Sequence, residues 1–372
     1  MNTTAEPLVS VLIPICNVEQ YLGQCLDSIA AQTLEDIEII CINDGSTDSS
    51  LEIINSYAAR DPRFVVIDKP NSGYGDSMNK GLEKARGKYI SILESDDFVE
   101  PDALEYMYRR CEDESLEVLK CNFYLYWTNP GPERLNHHNL FFSAAPAEVC
   151  AMGAHRVIDV PDLFWSKNSI WSALYRRDFL EKNNIKFLPT QGASFQDTSF
   201  TFKVYCCVER LACSSRAFLH YRQDNEKSSV NNPGKVFCVC DEHEEMARFL
   251  NEERPDLKAE IDPIRAKIKF YNYRWNLYRL APELRLQFLE RFASEMREEL
   301  AAGNVRSAEG DFAWLGFSDG ELDEVRSIVE DTKFYGTKCT VGENGKLETA
   351  RVYFNAGGLP FVARVLGDKL KR

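Results

Sequence analysis

The chain lacks a hydrophobic run long enough to cross a bilayer. A spanning helix needs about 20 apolar residues, and polar residues interrupt every apolar stretch well before that. It also lacks a basic excess: 44 Lys and Arg stand against 58 Asp and Glu, a net charge of -14. Nucleic acid demands a basic footprint, so that partner is excluded. Any phosphate is expected to be handled locally, through a metal. C-x-x-C pairs are absent despite twelve cysteines. Cys16, Cys25, Cys41, Cys121 and Cys206 sit inside apolar patterns, where a free thiol behaves as a small hydrophobe. The start, Met-Asn-Thr-Thr-Ala-Glu, carries no signal-peptide pattern. Together these features predict a cytoplasmic protein with reduced thiols. Cys238-x-Cys240-x-x-His243 offers a metal alternative, but it has no second Cys/His pair nearby, which argues against zinc.

What is present is an alternation of strand and helix signals. Leu8 to Ile15 is nearly continuous apolar, as a central parallel strand buried on both faces should be. Glu19 to Gln32 repeats apolar residues at helical spacing. Ile37 to Ile42 reads as the second strand, and Leu51, Ile54 and Tyr57 mark a helix. Phe64 to Ile67 is the third strand, and Met78, Leu82 and Ala85 the next helix. Tyr89 to Leu93 is the fourth strand. Four such repeats in about 90 residues predict a doubly wound, mostly parallel sheet. The dinucleotide fingerprint G-x-G-x-x-G does not follow the first strand, which argues against an NAD enzyme.

Further strands are expected at Val118 to Tyr126 and Ala217 to Tyr221. Residues 127 to 160 show no period and predict a long surface loop. A helix is expected from the Gln196-Asp197 pair through Cys207. From Val236 onward, apolar residues at helical spacing predict a helical accessory region broken at Pro255, Pro263 and Pro282. Gly303 to Gly320 reads as a looser joint and residues 340 to 358 as turn-rich. At 372 residues two parts are expected, a catalytic domain over 1–230 and an accessory region over 231–372. The basic amphipathic end, Phe361 to Arg372, is expected to pack on its own protein; the alternative is a peripheral contact with the inner face of a membrane.

The fourth strand ends in Glu94-Ser95-Asp96-Asp97. Three carboxylates at the carboxyl end of a strand lie where open α/β sheets bind ligands. Crowded there, they suit a hard cation such as Mn²⁺ or Mg²⁺, which keeps substrate phosphates as further ligands.

Five stretches carry a resemblance when read in order. They are Val9-Ser-Val-Leu-Ile-Pro-Ile-Cys-Asn-Val-Glu-Gln-Tyr-Leu, Cys25-Leu-Asp-Ser-Ile, Asn43-Asp-Gly-Ser-Thr-Asp, Asn79-Lys-Gly and Glu94-Ser-Asp-Asp. The chain over roughly residues 7 to 225 resembles family 2 glycosyltransferases, nucleotide-sugar enzymes of the GT-A fold. The resemblance implies an inverting, metal-dependent transfer of a hexose-type sugar from a UDP-sugar to a hydroxyl of a glycan or lipid-linked acceptor. It implies that Pro14, Asn17 and Glu19 line the nucleotide pocket, that Asp44 accepts the uracil N3–H, and that Ser46 meets ribose or phosphate. Asn79 and Lys80 fall in one of the shared stretches and are expected near the donor. Glu94-Ser95-Asp96 occupies the family's D-x-D position, with Asp96 on the metal. Asp97 is expected to cap the following helix. Asp197 stands at the catalytic base, with Gln196 where the family has Glu. His220 and Arg222 are expected toward the diphosphate, and Trp171 is a candidate acceptor platform. Glu94, Gln196 and Met78 depart from the family pattern; they leave a competing reading, a non-catalytic sugar-nucleotide or glycan-binding protein. Processive relatives carry Q-x-x-R-W, whereas Gln223 here precedes Asp-Asn-Glu, so one sugar per binding event is expected.

Overall fold

The structure is a computed structural model. It describes residues 6–134, 136–192, 194–226, 235–310, 316–340 and 360. Two compact units divide the chain, Met1–Asn231 and Asn232–Arg372.

The first unit is built on a nine-stranded sheet. Its strands are β1 (Val9–Ile15), β2 (Ile37–Asp44), β3 (Phe64–Lys69), β4 (Tyr89–Ile92), β5 (Phe98–Val99), β6 (Val118–Tyr126), β7 (Asn139–Phe142), β8 (Ala173–Arg176) and β9 (Leu211–Arg222). The order across the sheet is β3-β2-β1-β4-β8-β6-β9-β5, with β7 added to β6. β1 is buried over its whole length. It pairs in parallel with β2 from Val9↔Ile37 to Ile15↔Asn43, and with β4 from Val9↔Tyr89 to Leu12↔Ile92. Helices α1 (Glu19–Ala30), α2 (Ser50–Ala58) and α3 (Tyr74–Lys84) make the connections. The sheet grows from β1 to β2 and β3, then resumes at β4 on the other side of β1. That reversal opens a crevice at the carboxyl ends of β1 and β4, the place where such sheets bind ligands. β8 runs antiparallel to both β4 and β6.

Three local expectations change. Residues 127 to 160 include β7, paired antiparallel with β6. Its four residues are too short for a visible period, and the pairing with β6 defines it. β9 extends back to Leu211, because register shifts opposite Cys121 to Phe123 admit the polar residues Ser214 to Arg216 without ending the ladder. Asp97 caps no helix. The residue at the N-cap of α4 (Ala103–Asp113) is Asp102, and Asp97 is buried beneath the cleft.

The second unit is helical: α8 (Cys238–Glu252), α9 (Lys258–Arg279), α10 (Pro282–Ala301), α11 (Asp319–Glu330) and α12 (Thr332–Thr340). The first unit also holds α5 (Ala147–Cys150), α6 (Arg177–Lys182) and α7 (Gln196–Cys207). The expected break at Pro263 does not occur, since α9 runs through it. Lying close to the helix start, Pro263 forfeits a single bond to the Ala259 carbonyl. Phe249, Phe270, Tyr273, Phe288 and Phe292 fill this unit's core. No helix among the described residues is long and apolar enough to cross a membrane. The turn-rich stretch expected beyond Thr340 and the basic segment at 361–372 lie outside the described residues.

Candidate active site

The crevice at the ends of β1 and β4 is a cleft of about 590 Å³, a volume ordinary for ligand sites. Pro14, Asn17, Glu19, Asp44, Asp48, Tyr74, Glu94, Ser95, Asp96, Trp171, Gln196, Asp197, Tyr221 and Asn225 are among its lining residues. Six of the lining side chains are carboxylates: Glu19, Asp44, Asp48, Glu94, Asp96 and Asp197. None of the described lining residues is Lys or Arg.

One end of the cleft is stitched from the loops after β1 and β2. Asn17 adopts φ 53°, a left-handed turn that Asn tolerates well. Its Oδ1 accepts the Thr47 N–H at 2.7 Å, and its own N–H donates to Ser46 Oγ at 3.1 Å. Glu19 Oε2 accepts the Ser49 N–H at 2.9 Å, while the Glu19 N–H donates to Asp48 at 3.0 Å. Ser46 is thus engaged with Asn17 and is absent from the lining. Asp44 accepts the Ser72 N–H at 2.8 Å on Oδ1 and the Gly73 N–H at 3.0 Å on Oδ2, and is paired with Lys69. A carboxylate has about four lone-pair sites, so Asp44 keeps one acceptor position on Oδ2.

The middle of the cleft is the loop after β4. Glu94 Oε1 accepts the Tyr74 hydroxyl at 2.7 Å. Burial pushes the Glu94 carboxyl up to about 7; the Tyr74 bond opposes this, and Asp96 and Asp197 add to it. Asp96 Oδ2 accepts from Asn225 Nδ2 at 2.8 Å, leaving Oδ1 without a partner among the described residues. Asp97 is only 1% exposed. Its Oδ1 accepts the Arg222 N–H at 2.8 Å and its Oδ2 has no hydrogen-bond partner among the described residues. Burial, reinforced by Asp96, drives its carboxyl well above the usual range.

The far end carries Asp197, in the first turn of α7. The residue before the helix, Phe195, takes a left-handed φ of 66°, which turns the chain sharply into α7. Burial raises the Asp197 carboxyl to about 6. The helix's own N–H groups, Lys167 and Lys120 pull the other way. Gln196 ties the loop together: Nε2 donates to Thr190 Oγ1 at 2.9 Å and to the Gly192 carbonyl at 3.3 Å, and Oε1 accepts the Ser194 N–H. A Glu could not make the two donations. Trp171 stands in the wall, its ring 4.6 Å from Phe123 and 4.9 Å from Tyr221.

Four expected contacts are placed elsewhere. Asn79 donates to the Phe187 carbonyl and accepts the Phe187 N–H, both at 2.9 Å, so it clamps the segment leading to Asp197. Lys80 pairs with Asp76 at 3.3 Å. His220 is 5% exposed, stacked 4.3 Å from Phe98 and bonded to Glu100 and Asn139, both at 2.8 Å. Arg222 lies under the floor. It donates to the Asp96 carbonyl at 2.8 Å and to Gln24 at 2.6 Å, and its guanidinium stacks 4.5 Å from Tyr21. None of the four lines the cleft, because each is satisfied by partners in the scaffold. Sequence spacing places Arg222 near the phosphates in one dimension; the strand's alternation turns it inward.

Two features were not foreseen. Tyr74 bridges toward Glu94, and the glycines flanking it allow the close approach: a Cβ at Gly75 would stand 2.0 Å from the Leu188 carbonyl oxygen, and one at Gly73 2.5 Å from that of Thr190. The Gly-rich turn at 73–75 was the available signal. Lys120, buried in β6, had none.

The family model for glycosyl transferase family 2 matches residues 10–200. EpsH of Bacillus subtilis is 34% identical over 220 residues, 58% of this chain and 61% of EpsH. The chain therefore spans less than two thirds of that relative. EpsJ of the same organism, an uncharacterized glycosyltransferase, is 31% identical over 280 residues, 72% of this chain and 70% of EpsJ. Among solved structures, S. aureus TarS 1-349 in complex with UDP-GlcNAc superposes with a TM-score of 0.51 at 18% identity, covering 87% of this chain and 91% of that one; at that identity the likeness concerns the fold. The matched span holds most of the crevice, its acidic loop and Asp197, and the chain belongs to glycosyl transferase family 2.

Proposed function

We propose that this glycosyltransferase moves a sugar from a UDP-sugar to a hydroxyl of a glycan or lipid-linked acceptor, with inversion, one sugar per binding event, and with Mn²⁺ or Mg²⁺. The observation that carries the reading is the charge of the cleft. Six carboxylates and no described Lys or Arg line it. A sugar diphosphate is itself an anion, and like charges this close repel. A cation carried in with the diphosphate offsets that repulsion. Among the described residues no three His, Cys, Asp or Glu side chains gather as a complete cage. A hard cation needs only one or two protein carboxylates when substrate phosphates and water supply the rest, and Asp96 with its unspent Oδ1 is the residue that would hold it. When bound, the cation would neutralise the departing diphosphate.

The chain's own residues do the rest. Asp44 offers its remaining lone pair to the uracil N3–H, while Asn17 and Glu19 keep the loops around the base in place. Asp197 takes the proton from the acceptor hydroxyl as that oxygen attacks the anomeric carbon. A single displacement from the side opposite the diphosphate inverts that carbon. Trp171 and Tyr221 give the acceptor an aromatic wall. Gln223-Asp-Asn-Glu, standing where processive relatives carry Q-x-x-R-W, favours release after each transfer.

Screening UDP-sugars with Mn²⁺ for UDP release tests this. Turnover of at least one donor, lost on chelation and restored by excess Mn²⁺, is expected. UDP binding that is unchanged in a chelator, or no donor bound at all, contradicts it.

A further inference from the structure

Lys120 lies in the middle of β6 and is 4% exposed. Its Nζ donates to Ser169 Oγ at 2.9 Å and to the Ser169 carbonyl at 3.3 Å. Among the described residues no carboxylate comes within ion-pair distance of it. A buried ammonium without a counter-charge is expensive, and an apolar side chain of similar volume would normally serve the core better. Lys167 repeats the pattern closer to the surface. Its Nζ stands 4.3 Å from the Tyr221 ring centre, 5.9 Å from Phe123 and 6.0 Å from Phe142, again without an ion pair. Both lysines adjoin the start of the short 3-10 turn Ile170–Ser172, Lys120 through its bonds to Ser169 and Lys167 three residues before it; Ile170 and Trp171 of that turn share the cleft wall with Asp197. The charge of Asp197 acts on both.

The surroundings of Asp197 show why two unpaired cations belong there. Glu94 reaches it from the end of β4. Tyr74 faces it from α3, Tyr175 from β8 and Tyr221 from β9. From α7 come only its own first-turn N–H groups. Burial favours the neutral acid, which has no capacity to accept a proton. Lys120 from β6 and Lys167 from the segment before the turn are the positive charges opposing it.

We propose that Lys120 and Lys167 are positioning residues for transfer: they keep the Asp197 carboxylate ionised and hold its end of the cleft, and contact neither the sugar nor the diphosphate. They exchange no proton; the acceptor's proton goes to Asp197. The inference rests on Asp197 being the base.

The test compares wild type with Lys120→Met and Lys167→Met across pH, reading UDP release from a donor that the screen shows to turn over. The acid limb should move up by about one pH unit in each variant, so that release is about tenfold slower at pH 5.5. The gap should close by pH 8.5, above the value of about 8 to which burial lowers Lys120, and the donor KM should not change. A merely structural role would lower the rate by one factor at every pH. A readout independent of turnover is the melting gain from Asp197→Asn at pH 7.5, which should be larger in the Lys167→Met background than in wild type. An unmoved acid limb, or an equal gain in both backgrounds, overturns the proposal. Should Asp197→Asn retain transfer, it is the base assignment that falls; should it abolish transfer while the lysine variants titrate as wild type, this inference alone falls.

Discussion

Replacing Asp197 by Asn should make the protein more stable while stopping the reaction. In the fold its carboxyl is raised from 3.8 to about 6, a difference of about 2.2 pH units. Each unit corresponds to about 1.36 kcal/mol, so the ionised carboxylate destabilises the fold by roughly 3 kcal/mol at neutral pH. Asp197 lines an open cleft, and solvent screening reduces this to about 1–2 kcal/mol. The sign follows from proton linkage. Between pH 3.8 and about 6 the folded state holds the proton and the unfolded chain has lost it, so stability falls as pH rises through that window and then levels off. Asn carries no such term. At pH 7.5 the variant should melt about 2–8 °C higher, given about 2–4 °C per kcal/mol for a unit of this size. The gain should shrink by about half at pH 5. Transfer should drop by about 10²–10⁴-fold, with UDP binding in Mn²⁺ unchanged. Differential scanning calorimetry at both pH values and titration calorimetry with UDP read the two halves. A variant that melts lower at pH 7.5, or one that still transfers, refutes the reasoning.

Two further outcomes follow from the scaffold. Gly75→Ala puts a methyl group 2.0 Å from the Leu188 carbonyl oxygen; displacing the segment that leads to Asp197 should destabilise the first unit by about 3 kcal/mol and lower transfer, measured by denaturant unfolding and UDP release. Arg222→Met removes the side-chain bonds to Asp96 and Gln24. It should destabilise by about 2–4 kcal/mol and raise the Mn²⁺ concentration needed for half activity, because the floor under Asp96 loosens; an unchanged Mn²⁺ requirement would show that Arg222 does not support that loop.

The parallel strands were legible because burial on both faces forces continuous apolar runs, as in β1 and β2. The acidic loop was legible as three carboxylates at the end of a strand, and Asp197 through the resemblance to the family; the fold brings both to one cleft. Facing was not. His220 and Arg222 sit near the cleft in sequence, but strand alternation turns them into the scaffold while Tyr221 between them faces the cleft. Asn79 and Phe187 meet across 108 positions, a contact that no local pattern announces. Lys120 reads as a polar interruption of a strand until the fold buries it against Ser169, within electrostatic reach of Asp197. Pro263 reads as a break, yet near a helix start its loss is a single bond.

The most direct test is a crystal structure of the protein with UDP and Mn²⁺, read through the anomalous signal of the metal. The account predicts one manganese peak bridging Asp96 and the diphosphate, with uracil at Asp44 and Asp197 across the vacant sugar position. Manganese away from Asp96, or UDP bound in the cleft with no metal beside its phosphates, would contradict it.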